Sequence, residues 1–132
     1  MAIKELKILL KSMNPELDND SYVFLSVSEK EFKNLKINPL LIYKEKEGIT
    51  LILDKESADK NNLSYNGVWS LITLKVNSDL NAVGFLAAIS KKLAEAGISI
   101  NAVSAYYHDY LFVHYKKSKE ALRLLKELSN NN

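Results

Sequence analysis

Cysteine is absent from this 132-residue sequence, which removes disulfides, thiolate metal sites and thiol nucleophiles together and gives secretion no support. Arginine is nearly absent: Arg123 is the only one among eighteen basic side chains, which face sixteen acidic ones for a net charge of +2. Nucleic-acid binders concentrate arginine on one face for bidentate contacts to phosphate and guanine. Here lysine alternates with acid, as in the KEKE run at Lys44–Glu47, which is the pattern of a solvated surface. No nucleic-acid partner is expected. The four glycines, Gly48, Gly67, Gly84 and Gly97, are isolated from one another, so there is no glycine-rich phosphate loop and no cofactor is expected. No apolar run approaches the ~18 residues that span a bilayer, so no membrane association is expected. The opening MAIKELKILLKSMNPELDND is too charged for the apolar core of a secretory signal, and a cytoplasmic location is the expectation. Only His108 and His114 are available as histidines, so acid–base chemistry would need them or carboxylates.

What remains is the composition of a globular chain, 47% hydrophobic and 26% charged. Apolar Ile3, Leu6, Leu10 and Met13 fall at helical spacing, although Leu6, Ile8 and Leu10 also alternate as in a strand. Asn14–Asp20 reads as a polar turn, and Tyr22–Val27 as a strand. Ser28 followed by Glu31 predicts a capping box and a short helix to about Leu35. Leu40–Glu45 and Ile49–Leu53 read as a hairpin in which Gly48 supplies positive φ. Lys55–Asn62 reads as a short helix and Val68–Val76 as the clearest strand. Ala82–Ala96 is the strongest helix, with Val83, Leu86, Ile89, Leu93 and Ala96 on one stripe and Gly97 as its stop. Ile98–Tyr107 and Tyr110–Tyr115 form a second hairpin around His108–Asp109. Lys119–Leu128 is the last helix, ahead of a frayed Asn-rich tail.

The order β-α-β-β-α therefore occurs twice, over Tyr22–Asn62 and Val68–Leu128. Each unit is one strand short of the βαββαβ ferredoxin-like plan, so units could share or exchange strands to complete their sheets. The expected fold is α+β: antiparallel sheets with helices on one face, divided into residues 1–65 and 66–132.

The turn Ser78–Gly84 carries the chemistry. A helix that begins near Asn81 has unpaired N–H groups and a partial positive charge at its first turn, where a carboxylate can bind through backbone donors. Gly84, lacking Cβ, would allow a ligand or strand to approach closely. The competing reading is that Ser78, Asp79 or Asn81 simply caps the helix and Gly84 packs on the sheet. His108 is most simply a solvated turn residue and Asp109 a turn former. No ligand spacing supports a metal site at His108, Asp109 and His114. Nor does a nucleophile-elbow sequence accompany Ser104, His108 and Asp109. Trp69 and the tyrosines Tyr106, Tyr107, Tyr110 and Tyr115 read as packing rather than ligand stacking.

The second half, NSDLNAVGFLAAISKKLAEAGISINAVSAYYHDYLFV, resembles the ACT domain, the ligand-binding unit of amino-acid-regulated enzymes such as aspartokinase. Val83–Gly84 opening the helix, LAEAGISI at Leu93–Ile100 leaving it, and the following strand pair carry the likeness. The usual aspartate–x–proline–glycine turn appears as Asp79-Leu80-Asn81-Ala82-Val83-Gly84, without proline. Over nearly its full length the chain resembles small bacterial tandem ACT-like proteins, similar to the ACT units of the CASTOR arginine sensors. The resemblance implies a degenerate N-terminal ACT-like unit and a C-terminal ACT unit. It also implies a ligand site at Asp79, Leu80, Asn81, Val83 and Gly84, joined by Asn101 and Ser104 on the next strand and by Asp109 as partner of an ammonium or guanidinium group. The function so implied is a non-catalytic sensor of an amino acid or similar small molecule, and the sheet edges exposed by the truncated plan make a homodimer the expectation. The alternative is a protein-interaction or structural module with a vestigial pocket.

Overall fold

Helical spacing wins over alternation at the start of the chain in the computed structural model, which describes residues 2–132. Helix α1 (Leu6–Ser12) buries Leu9 and Leu10, and Met13 follows them into the core. Asn14 then adopts φ 43, a left-handed conformation that asparagine tolerates, and the chain reverses straight into β1 (Pro15–Val27). The polar turn expected over Asn14–Asp20 is thus the first half of a thirteen-residue strand. Its run of Asp and Asn is unfavourable for strand in isolation, and pairing and partial burial of Leu17 override that preference. Pro15 occupies the first strand position, where its missing N–H is tolerated.

Helix α2 (Glu29–Asn34) starts on the expected capping box, with Ser28 Oγ accepting from Glu31 N–H at 3.1 Å and Glu31 accepting from Ser28 N–H at 3.3 Å. Strands β2 (Leu41–Lys44) and β3 (Ile49–Asp54) form the first hairpin. Gly48 serves there by close approach, not by positive φ: a Cβ would lie 2.6 Å from Ser26 Oγ and 3.1 Å from Val27 O. Asp54 caps α3 (Lys55–Lys60) by accepting from Ser57 N–H at 2.9 Å. There follow β4 (Trp69–Leu74), α4 (Phe85–Glu95), β5 (Ile100–Ser104), β6 (Asp109–His114), a 3-10 turn at Tyr115–Lys117, and α5 (Ser118–Asn130). The order β-α-β-β-α stands twice, as the sequence predicts. Helix α4 begins three residues later than expected, and α5 continues as helix to Asn130 where a frayed tail was expected.

The chain forms two compact units, one of residues up to Asn19 together with Ser70–Asn132, the other Asp20–Trp69. The expected division after residue 65 follows element order; the compact units cut the chain differently, because α1 and the start of β1 pack with the later elements. In the first unit, Ile72 and Leu74 of β4, and Leu111 and Val113 of β6, share one core with Leu9 and Met13, with Ile89 and Leu93 of α4, and with Ala121 and Leu125 of α5, so the helices cover one face of the sheet. Strand β5 pairs antiparallel with β6, from Ile100 opposite Val113 to Ser104 opposite Asp109, and β5 is an edge. Beside β4, Val76 N–H donates to Met13 O at 3.3 Å and Lys75 bonds Glu16 at 3.0 Å, so the N-terminal stretch supplies the strand that the β-α-β-β-α plan lacks. In the second unit, β3 lies between β1 and β2, antiparallel to both, and Val23, Leu25, Val27, Leu51, Leu53 and Ala58 form its core. Trp69 packs on Phe24 with ring centroids 5.7 Å apart.

Candidate functional site

Beyond β4 the chain stays buried at Val76 and Ser78, then turns on itself. Asp79 makes the turn: its carbonyl accepts from Ala82 N–H at 2.9 Å and its Oδ1 from Asn81 N–H at 2.7 Å. Gly84 follows at φ 92 as the N-cap of α4, with no side chain capping the helix. The expected role of Gly84 is therefore revised. The nearest atom to a Cβ there is Leu6 Cδ2 at 3.5 Å, an ordinary contact, and glycine is required by the left-handed backbone. The first-turn amides thus belong to Phe85, Leu86 and Ala87, because the helix starts at Phe85 and not near Asn81.

These first-turn residues form one wall of a cavity of about 160 Å³. Ser78, Asp79, Leu80, Ala82 and Gly84 continue the lining, and Ser104 and Asp109 close it from the β5–β6 hairpin. Asp109 is not a turn residue: it is the first residue of β6, only 5% exposed. The turn lies at Ala105–His108, closed by Ala105 N–H donating to His108 O at 3.0 Å. Ser78 Oγ donates to Asp109 Oδ2 at 2.8 Å and Ser104 Oγ to Asp109 Oδ1 at 2.7 Å. A buried carboxylate needs such partners, and two donors leave part of its acceptor capacity open. None of the salt bridges among the described residues reaches Asp109. His108 is half-buried rather than solvated, its Nδ1 lying 3.2 Å from Val76 O.

The structure brings Asp79, Leu80, Gly84, Ser104 and Asp109 together around this cavity. Asn81 lines an adjoining, wider one of about 410 Å³ with Asn77, Tyr106 and Tyr107. Val83, 84% exposed, and Asn101, exposed opposite Phe112, line neither. Sequence reasoning missed Ser78 as the partner of Asp109. Nothing in a serine thirty-one residues away signals that bond; only the tertiary fold brings the two side chains together. Phe85, Leu86 and Ala87 were missed because the helix start was placed too early. Among the described residues no three His, Asp or Glu side chains gather in a way that could hold a metal ion. No described helix is long and apolar enough to cross a membrane.

ACT domain models match residues 1–70 and 66–127. The chain belongs to the ACT domain family. No curated protein matches it. A Vibrio cholerae protein of unknown function, described as a possible transport protein, is 44% identical; the match covers 91% of this ACT chain and 92% of that one, with a TM-score of 0.80. An Agrobacterium tumefaciens protein is 17% identical over 87% of each chain, with a TM-score of 0.69. The regulatory subunit of aspartate kinase from Thermus flavus is 12% identical over 86% of this chain and 95% of its own, with a TM-score of 0.66. The last two share the fold of this tandem ACT chain.

Proposed function

We propose that this ACT chain is a non-catalytic cytoplasmic sensor that binds a free amino acid at the start of α4. One observation carries the reading: an uncapped helix N-terminus and a buried carboxylate, Asp109, line the same cavity of about 160 Å³. The two charges of an α-amino acid match those two walls. The α-carboxylate accepts from the first-turn amides of Phe85, Leu86 and Ala87, where the helix dipole favours an anion. The α-ammonium donates to Asp109, whose orientation Ser78 and Ser104 fix beforehand. Asp79 and Leu80 belong to this proposed site as its turn and Asn81 as the wall of the adjoining cavity, while Val83 and Asn101 lie outside its lining. Binding would regulate by favouring one conformational state, limited by its difference in affinity between states. A homodimer fits the same reading, because the β5 edge can accept a further strand.

Isothermal titration with each of the twenty amino acids tests this. One amino acid binds, its methyl ester loses affinity for want of the carboxylate, and its N-acetyl form loses affinity for want of the ammonium. Equal binding of both derivatives contradicts the assignment. A second reading, an interaction module with a vestigial pocket, draws on Tyr106 and Tyr107, which are 74% and 63% exposed and line the adjoining cavity. No heat from any of the twenty, with a partner retained on immobilised protein and released by Tyr106→Ala, would favour it.

A further inference from the structure

The loop that shapes the cavity is held from outside by the start of the chain. Ile3 N–H donates to Asn77 O at 2.8 Å, and Asp79 N–H donates to Ile3 O at 2.8 Å, so Ile3 forms a one-residue parallel bridge with Ser78. Ser78 is the residue whose hydroxyl bonds Asp109. At the other end of the same loop, Leu6 Cδ2 lies 3.5 Å from where a Cβ on Gly84 would stand. Ile3 and Leu6 are themselves partly buried against the core of their unit, and Ala2 lines the adjoining cavity. Ala2–Leu6 therefore touches both ends of the loop and, through Ser78, the carboxylate.

We infer that Ala2–Leu6 is a strap that holds the Asn77–Gly84 loop in its binding shape, with Ile3 as the positioning residue. Ile3 touches no bound molecule; it acts through Ser78 and Asp79. Without the strap, Asn77 O and Asp79 N–H lose their partner, and Ser78 is free to leave Asp109. Strap docking and amino-acid binding are then coupled, and each strengthens the other by the same factor. Anything that occupies or modifies the N-terminal segment tunes the site. The binding half of this inference rests on the amino-acid reading above; the loop half does not.

Ile3→Pro separates the possibilities. It removes the N–H that donates to Asn77 but keeps a carbonyl at position 3 for Asp79, so the Asp79 bond is lost only if the strap undocks as a unit. By amide hydrogen exchange, Asp79, Asn81 and Ala82 should exchange roughly tenfold faster, while Leu51 and Leu53 in the core of the other unit stay unchanged. Ile3→Val, which keeps both backbone bonds and most of the packing, should match the original protein. If Ile3→Pro also speeds exchange at Leu51 and Leu53, Ile3→Ala takes its place, with a smaller rise confined to the loop. Unchanged exchange at Asn81 and Ala82 overturns the strap. In parallel, each of the twenty amino acids at 5 mM is tested for a shift in melting temperature. The shift seen with the original protein should fall by at least half in Ile3→Pro, and a full shift in the variant overturns the coupling. If no amino acid shifts the original protein, the amino-acid reading and the coupling fall together, and exchange alone decides whether the strap shapes the loop.

Discussion

Asp109 and Gly84 do different work at the same cavity, and each can be tested by a small change. Gly84 sits at φ 92 with room for a methyl group, so the cost of Gly84→Ala is almost wholly backbone. A left-handed L-residue costs about 1–2 kcal/mol, which should lower the melting temperature by roughly 3–8 °C in a scanning calorimeter. An unchanged melting temperature would mean that the turn relaxes to negative φ. The residue scale is also where the sequence was only partly legible. Asp79, Leu80 and Gly84 are contiguous with a helix start and could be named from the chain alone. Asp109 and Ser104 face each other because the hairpin turn spans Ala105–His108. The spacing of the strands placed the turn at His108–Asp109, and a slip of that size moves Asp109 out of the site. Val83 and Asn101 were implied by the family resemblance, and neither lines the cavity.

At the scale of elements, local signals with a specific chemistry read out well. The capping box at Ser28 and Glu31 is an example: Ser28→Ala should cost about 1 kcal/mol and lower the melting temperature by about 3–5 °C. Where structure depended on distant pairing, local signals failed. The polar run from Glu16 to Asn19 becomes strand with β4 as its neighbour in the sheet, which no local propensity records. The packing of α4 on α5 carries a pH dependence. Lys92 Nζ donates to Glu127 at 2.7 Å, and Arg123 lies 3.3 Å from the other carboxylate oxygen. The hydrogen bond from Lys92, then its charge, hold Glu127 below the ordinary value of 4.5. The bound form is therefore the ionised one, and its contribution is fully present above pH 4.5 and is lost as pH falls through the lowered value. Melting temperature should fall below pH 4.5 more steeply in the original protein than in Glu127→Gln. Parallel slopes would show that the bridge adds nothing.

For the whole molecule, two ACT models follow one another in sequence while the compact units interleave. The β-α-β-β-α repeat made the tandem architecture legible, but not the loan of α1 and the start of β1 to the later elements, because a helix that packs far along the chain looks locally like any other. Leu9, Leu10 and Met13, each 5% exposed or less, belong to the core that also holds α4 and α5. Burying them contributes about 1.5–3 kcal/mol apiece, comparable with the total stability of a domain of about 5–15 kcal/mol. A fragment of residues 66–132 should therefore lack a cooperative melt by circular dichroism, although it spans a complete family match. A sharp melt of that fragment would show that the N-terminal elements are dispensable for its core.

In the proposed site, Asp109 and the α4 N-terminus together hold an amino acid. The most direct measurement is the melting temperature of the original protein and of Asp109→Asn against all twenty amino acids. A ligand at about 100 times its dissociation constant stabilises the fold by about 2.7 kcal/mol, enough for a shift of several degrees. One selective stabiliser is expected, its shift falling to about a third or less in Asp109→Asn, because removing one partner of a buried charge pair weakens affinity by at least about thirtyfold. A selective stabiliser that acts equally on Asp109→Asn, or none among the twenty, would contradict the proposed site.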